Sequence, residues 1–410
     1  MQTQTTEYFL KSALGQEADN IIRSCVHCGF CTATCPTYQL LGDERDGPRG
    51  RIYLIKQIIE GHSVSSKTQL HLDRCLSCRA CETSCPSGVQ YGRLVDIGRQ
   101  LIEDKTTRPV ISRIIRLILR KILPYPSRVT ILLTIGRQLK PLLPQSLKRQ
   151  IPGRQKTSTW PAYIPENSGQ ARKMLILEGC IQSVTTPNTN STTANILRKL
   201  GITLIAPDKA GCCGAVSQHL SAQQEALNFM RRNIDAWWPY IEQGITAIII
   251  TASGCGAMVK EYGYHLKQDE HYADKAQKIS ELAKDISEIL LQEELPLSRI
   301  KPSIKNIAFQ SPCTLQHGQQ LDGVVESILE RCGFELSAVD DTHLCCGSAG
   351  TYSILQADLA QQLLYNKLTN LQRHQPELIV TANIGCQLHL QSQASIPVKH
   401  WIELLDESFV

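Results

Sequence analysis

The residues of this chain whose types and spacing can do chemistry are cysteines. CVHCGFCTATCP, from Cys25 to Pro36, recurs as CLSCRACETSCP, from Cys75 to Pro86, with the same internal spacing. Each run reads Cys-x2-Cys-x2-Cys-x3-Cys-Pro, a pattern in which the fourth thiolate ligates the cluster of the other run. Three thiolates at three-residue intervals close around one face of an iron–sulfur cube, and the proline turns the fourth toward the neighbouring cube. The spacing predicts one [4Fe–4S] cluster on Cys25, Cys28, Cys31 and Cys85, and a second on Cys75, Cys78, Cys81 and Cys35.

Competing chemistries fit less well. Structural zinc uses two Cys-x2-Cys pairs across a longer loop, not four closely spaced ligands duplicated. A disulfide framework suits short secreted chains, whereas here 17 cysteines, an odd number, are spread over 410 residues. MQTQTTEYFLK carries no apolar signal segment, so reduced, cytosol-facing, metal-bound cysteine is expected.

The length suggests two or three domains, and no apolar run approaches the roughly 18–20 residues needed to span a bilayer. The net charge of +5 hides an asymmetry. Residues 105–156 hold 13 of the 43 basic residues and no Asp or Glu, leaving 30 basic against all 38 acidic residues elsewhere. Within this segment ISRIIRLILRKIL, Ile111–Leu123, places Arg113, Arg116, Arg120 and Lys121 on one helical face. Ile114, Ile115, Ile118, Leu119 and Ile122 dominate the other. Such a helix suits in-plane binding to anionic lipid, docking on a partner, or packing on the domains with its basic face solvated. Nucleic-acid binding is disfavoured because no recognition motif accompanies the charge.

Several elements must position the cysteines. Apolar periodicity predicts helices over Arg51–Glu60 and Lys67–Arg74, between two runs that start 50 residues apart, and over Tyr91–Asp104 after the second run. This argues for a helical two-cluster ferredoxin domain over residues 1–104, followed by a basic helical segment and linker over 105–170, polar and proline-rich from Gln145 to Pro165. The C-terminal half repeats itself. Cys180, Cys212, Cys213 and Cys255 recur as Cys313, Cys345, Cys346 and Cys386, at offsets of 133, 133, 133 and 131. Only Cys332 has no counterpart there. Apolar runs at Met174–Leu177, Ala247–Thr251, Ile307–Phe309 and Leu378–Thr381 alternate with helical stretches, so each repeat, 171–300 and 301–410, reads as a parallel α/β sheet. The expected class is α+β multidomain, with a pair of repeated α/β units at the C-terminus. Ligands of such sheets sit beyond the carboxyl ends of the strands, where the lone cysteines stand, and Gly214 and Gly347 let the Cys-Cys-Gly turns bend close. These eight cysteines are candidate ligands of a further iron–sulfur cluster. Buried structural thiols, or a partner or quinone site without metal, are the alternatives. His219, His317, His343 and His389 are nearby and open to either role.

The repeat resembles the cysteine-rich CCG domain of heterodisulfide reductases and flavoprotein-linked dehydrogenases. Its full motif ends in Cys-x2-Cys, but here Met258 and His389 stand at the last position, which weighs against a five-thiolate cluster. The whole chain resembles the iron–sulfur subunit of bacterial glycolate oxidase, through CVHCGFCTATCPTYQLLGDE, DGPRGRIYLIKQ, HLDRCLSC, AGCCGAV, NIDAWWP, TASGCGAMVKEYG, PCTLQH, HLCCGSAGTY and TANIGCQ. The resemblance implies an oxidoreductase acting on CH–OH donors, with two flavin-binding partner subunits that carry FAD and oxidise glycolate to glyoxylate. Electrons would leave through this chain to a quinone at the inner face of the cytoplasmic membrane, with 105–156 as the peripheral contact. No dinucleotide motif and no acid–base constellation for hydride removal appears, so no catalytic residue is expected on the chain itself. Related glycerol-3-phosphate or lactate dehydrogenase subunits, a heterodisulfide-reductase-like catalytic subunit, and a redox-regulatory scaffold are the alternatives.

Overall fold

The computed structural model describes residues 1–142, 144, 148, 151–155, 160, 172–295, 297 and 300–408, and most of the polar stretch read over 145–165 lies outside them. The chain forms two compact units: residues 1–118, 218–221 and 341–367, and residues 119–217, 222–340 and 368–410.

In the first unit, helices hold the two cysteine runs at their ends. Ala13–Ser24 (α1) is capped by Ser12, which accepts from Gly15 N–H, and it stops at Cys25. Pro48–Ile59 (α2) starts with proline at its first position, where no amide is needed. Ser66–Asp73 (α3) leads to Cys75, and Tyr91–Glu103 (α4) follows the second run. Ile22, Ile55, Ile58, Ile59, Leu72, Leu94 and Ile102 are fully enclosed between these helices. Each such side chain contributes on the order of 1.5–3 kcal/mol. The predicted helices between the runs are present, within a few residues of the expected bounds.

The second unit contains two four-stranded parallel sheets of one topology. Arg172–Leu177 (β1), Ile202–Ile205 (β2), Ile248–Ile250 (β3) and Ala283–Asp285 (β4) run in the order β2-β1-β3-β4. Asn306–Gln310 (β5), Glu335–Leu336 (β6), Leu378–Thr381 (β7) and Val398–His400 (β8) run in the order β6-β5-β7-β8. Strand order reverses between β1 and β3, and again between β5 and β7, so each sheet has a crevice beyond the carboxyl ends of its central strands. The α/β expectation holds, and the second and fourth strand of each sheet are additions to it. The two sheets share one core: Ile176, Ile202 and Ile249 of the first repeat pack with Ile307, Phe309, Val380 and Trp401 of the second. Cys332 lies in this core, a packing residue.

The basic helix leaves its apolar face exposed, which departs from the reading in which it packs on the domains with its basic face solvated. Val110–Ile122 (α5) exposes Ile111, Ile114, Ile115 and Ile118. Arg116, Arg120 and Lys121 are the groups engaged by protein. In the first unit, Arg116 Nη2 lies 3.1 Å from Asp73, which also binds buried Arg108. In the second unit, Lys121 Nζ lies 2.8 Å from Glu225 and Arg120 Nε 3.9 Å from it. Burying a charged face is stable only where the charges are paired, and Asp73 and Glu225 supply the counter-charge missing from the segment itself. Pro126–Leu139 (α6) also exposes Ile131, Leu132, Ile135 and Leu139. No described helix is long and apolar enough to cross a membrane.

Candidate metal centres

The two ferredoxin-type runs adopt the same unusual backbone. His27 and Gly29 in the first, and Ser77 and Arg79 in the second, all have left-handed φ values, of 58°, 88°, 52° and 61°. For the three residues other than glycine this costs roughly 1–2 kcal/mol each. The conformation turns successive amides toward the sulfurs, the concave arrangement that receives anionic groups. Ser77 N–H donates to Cys75 Sγ at 3.4 Å.

Cys25, Cys28, Cys31 and Cys85 line one cavity, which Cys81 also borders, with Arg49, Ile52, Val89 and Tyr91 around it. Cys85 thus stands beside the first run although it belongs to the second. Burial, then the fields of Cys25 and Cys28, push the Cys31 thiol up to about 11. Sulfurs crowded in this way cannot all ionise without a cationic centre between them.

Around the other group, burial and the fields of Cys78, Cys75 and Cys35 hold Cys81 well above the usual thiol range. Cys35, from the first run, is the outsider here. Arg51 on α2, 1% exposed, lies against it. Its Nη1 is 4.0 Å from Cys35 Sγ, its Nη2 donates to Thr37 Oγ1 at 3.1 Å, and its Nε donates to the His71 carbonyl at 2.7 Å. Asp46, fully buried, balances the charge: it lies 3.6 Å from Arg51, 2.9 Å from Arg74 and 2.9 Å from His71 Nδ1. Tyr91 hydroxyl donates to Cys75 Sγ at 3.7 Å. Hydrogen bonds and charge beside cluster sulfurs are the levers that set potential. Sequence reasoning missed Arg51, Asp46 and Tyr91. An arginine within the apolar stripe of α2 was the available signal for the first.

In the first CCG-like repeat four thiols converge at the sheet crevice. Cys180 follows β1, and Cys255 lies on Ser253–Lys260 (α7), just after β3. Cys180 and Cys212 sulfurs are 3.6 Å apart, and Cys213 shares thiol hydrogen bonds with Cys212 and Cys255. Hydrogen bonds from Cys180 and Cys213 draw Cys212 well below the usual thiol range, helped by Gly214 N–H and the nearby Arg232. Asn233 fixes the turn by accepting from Gly211 N–H at 2.9 Å and donating to the Cys212 carbonyl at 2.9 Å. Tyr262 hydroxyl donates to the Cys213 carbonyl at 2.9 Å. Gly214, at φ +95°, passes so close to the next helix that a Cβ would lie 3.1 Å from the Ala226 carbonyl. Met258, standing where a fifth cysteine would be, is packed into the apolar core with Cys213 and Tyr262.

The second repeat reproduces the turn. Gly347 N–H donates to Cys345 Sγ at 3.5 Å, and a Cβ on Gly347, at φ +89°, would lie 2.7 Å from the Ala360 carbonyl. Cys345 and Cys346 fall in the first compact unit, while Cys313 and Cys386 fall in the second. Asn383 Nδ2 donates to Cys386 Sγ at 3.5 Å. His219 faces Asp96 at 3.8 Å rather than a cysteine. None of the 17 cysteines is in a disulfide. Buried thiols, inward amides and compensating arginines fit anionic metal–sulfur clusters in the ferredoxin-type pockets, and four converging thiols fit one in the first repeat.

Comparison with known proteins agrees with this chemistry. Residues 21–89 match the 4Fe-4S dicluster domain, and residues 174–260 and 307–391 each match the cysteine-rich domain CCG. The glycolate oxidase iron-sulfur subunit of Escherichia coli is 54% identical over 408 residues, covering 100% of this chain and 99% of that protein. A probable glycolate oxidase iron-sulfur subunit of Bacillus subtilis is 28% identical, covering 90% and 88%. Lactate utilization protein A of Bacillus velezensis is 22% identical, covering 57% of this chain and 99% of that protein. With a dicluster domain, two CCG domains and matching sequence along its whole length, the chain belongs to the family of glycolate oxidase iron–sulfur subunits.

Proposed function

We propose that the chain is the electron-transfer subunit of a glycolate oxidase, receiving electrons from FAD-bearing partner subunits and delivering them toward quinone at the cytoplasmic face of the membrane. The observation that carries this reading is the grouping of cysteines from both runs: Cys85 shares a cavity with Cys25, Cys28 and Cys31, and Cys35 acts on Cys81 together with Cys75 and Cys78. Bound [4Fe–4S] clusters supply reversible one-electron chemistry. The chain's own residues hold and tune them: Cys25, Cys28, Cys31 and Cys85 at one position, Cys75, Cys78, Cys81 and Cys35 at the other. Arg51 and Tyr91 offset the negative charge that the second position gains on reduction. Cys180, Cys212, Cys213 and Cys255 form the next metal site, and Cys313, Cys345, Cys346 and Cys386 are candidate ligands at the matching sequence positions of the second repeat. The sequence divides accordingly into 1–104, 105–170, 171–300 and 301–410.

Membrane contact fits the exposed isoleucines and leucines of α5 and α6 better than a basic face, because Arg116 and Arg120 already have carboxylate partners. Exposed Arg113 remains to meet anionic headgroups. The deciding experiment reconstitutes the flavin subunits with and without this chain and follows glycolate-dependent reduction of a quinone analogue, with EPR of the reduced clusters. Equal rates without the chain would remove it from the electron path.

A further inference from the structure

The segment 341–367, which carries the second Cys-Cys-Gly turn, is part of the same compact unit as both ferredoxin-type runs. On it Tyr352 is only 6% exposed. Its hydroxyl is buried and has no hydrogen-bond partner among the described residues. Leaving such a group unpaired costs roughly 1–3 kcal/mol. A phenol is protonated at neutral pH and can donate. Among the titratable groups whose fields reach this hydroxyl are Arg51, Cys75, Cys345 and Arg74. Three of them belong to the surroundings of the second cluster: Cys75 itself, Arg51 beside Cys35, and Arg74 on Asp46. Among these groups the sulfur of Cys75 belongs to the second position and none belongs to the first, which points to the second position as the source of the acceptor that the hydroxyl lacks.

We propose that Tyr352 donates a hydrogen bond to the cluster assigned to Cys75, Cys78, Cys81 and Cys35, setting its potential apart from that of its neighbour. This inference rests on the ligand sets given under the proposed function. A donor stabilises the extra negative charge of the reduced state, so it raises the potential of the cluster it touches and leaves the other alone. The donor lies six residues from Cys346. The cluster's energetics are thereby tied to the second repeat, and Tyr352 is a tuning residue, not a ligand.

The test is an anaerobic redox titration of the reconstituted full-length chain, followed by EPR, on wild type, Tyr352→Phe, Cys35→Ser and Cys78→Ser. Cys35→Ser and Cys78→Ser should perturb one and the same signal, which identifies the second cluster. Tyr352→Phe should keep full iron content and lower the midpoint of that signal alone. The expected change in its reduction equilibrium is about threefold to tenfold, tenfold being about 59 mV for one electron. If Cys35→Ser and Cys78→Ser perturb different signals, the ligand sets fall and the inference with them. If they agree but Tyr352→Phe leaves both midpoints in place, moves both equally, or loses iron, the tuning role is refuted and the ligand sets stand.

Discussion

His400 Nε2 donates to the carbonyl of Thr251 at 2.9 Å, joining the last strand of the second sheet to the end of β3 in the first. Its Nδ1 accepts from Ile402 N–H at 3.2 Å, capping the helix Trp401–Glu407. The neutral ring is thus fully used, and burial pushes its pKa down to about 4 from an ordinary 6.5. Protonation favours the unfolded chain, so the stability from this residue is complete above pH 6.5 and is lost as pH falls toward 4. The span corresponds to about 3 kcal/mol. Urea midpoints measured from pH 7 to 4 should fall in the wild type and fall less steeply in His400→Gln, which starts from a lower midpoint at pH 7.

Arg51 and Asp46 form a buried pair beside Cys35, and removing one partner strands the other. Arg51→Ala should cost about 3–5 kcal/mol in stability and lower the iron content. Arg51→Lys retains the charge but lacks the fork that reaches Thr37, the His71 carbonyl and Cys35 together. It should keep more iron than Arg51→Ala and show a changed EPR signal for one cluster. Full iron with unaltered potentials in both variants would make Arg51 a bystander.

Exchange of the fourth cysteine between runs can be checked by chemistry alone. Two cubes contain about eight iron atoms. Cys85→Ser should disturb the signal that depends on Cys28, and Cys35→Ser the signal that depends on Cys78. The reverse pairing, or zinc in anaerobically prepared protein, would overturn the assignment.

Flotation with anionic vesicles separates the two faces of α5. Ile111→Ser together with Ile114→Ser and Ile118→Ser should reduce binding severalfold, since each removes exposed apolar surface and touches no ion pair. Arg113→Gln should weaken binding modestly and mainly at low salt. Unchanged flotation in the triple variant would assign the apolar face to another partner.

Asn233 satisfies two backbone groups of the first Cys-Cys-Gly turn at once. Asn233→Ala leaves the Gly211 N–H and the buried Cys212 carbonyl without it, at a cost of roughly 1–3 kcal/mol for each unpaired group. The melting temperature should fall. Any iron bound to the C-terminal half should become easier to chelate, while the two ferredoxin-type EPR signals persist.

The cysteine runs, the helices between them and the repeated sheets were legible because each has a short-range signature: ligand spacing, a 3.6-residue apolar period, and apolar runs at matched offsets. The strands β6 and β8 were not, since two or three residues, among them Glu335, Lys399 and His400, carry no period. The inward face of α5 was hidden for a different reason. Arg116 and Arg120 find Asp73 and Glu225 some 43 and 105 residues away, and no local pattern announces such partners. The same holds for Tyr352, an ordinary aromatic residue in sequence whose importance depends on where the chain returns.

The common core of the two sheets has a consequence for how this half of the chain came to be and how it fails. Two repeats that bury their hydrophobic faces in each other cannot melt separately, so the tandem should unfold in one cooperative step, without a stage in which one sheet survives. After duplication, substitutions at positions outside this shared core, such as Met258 and His389, were open to each copy independently. Those at Ile249, Phe309 or Trp401 were not, because a change in either copy is felt by both.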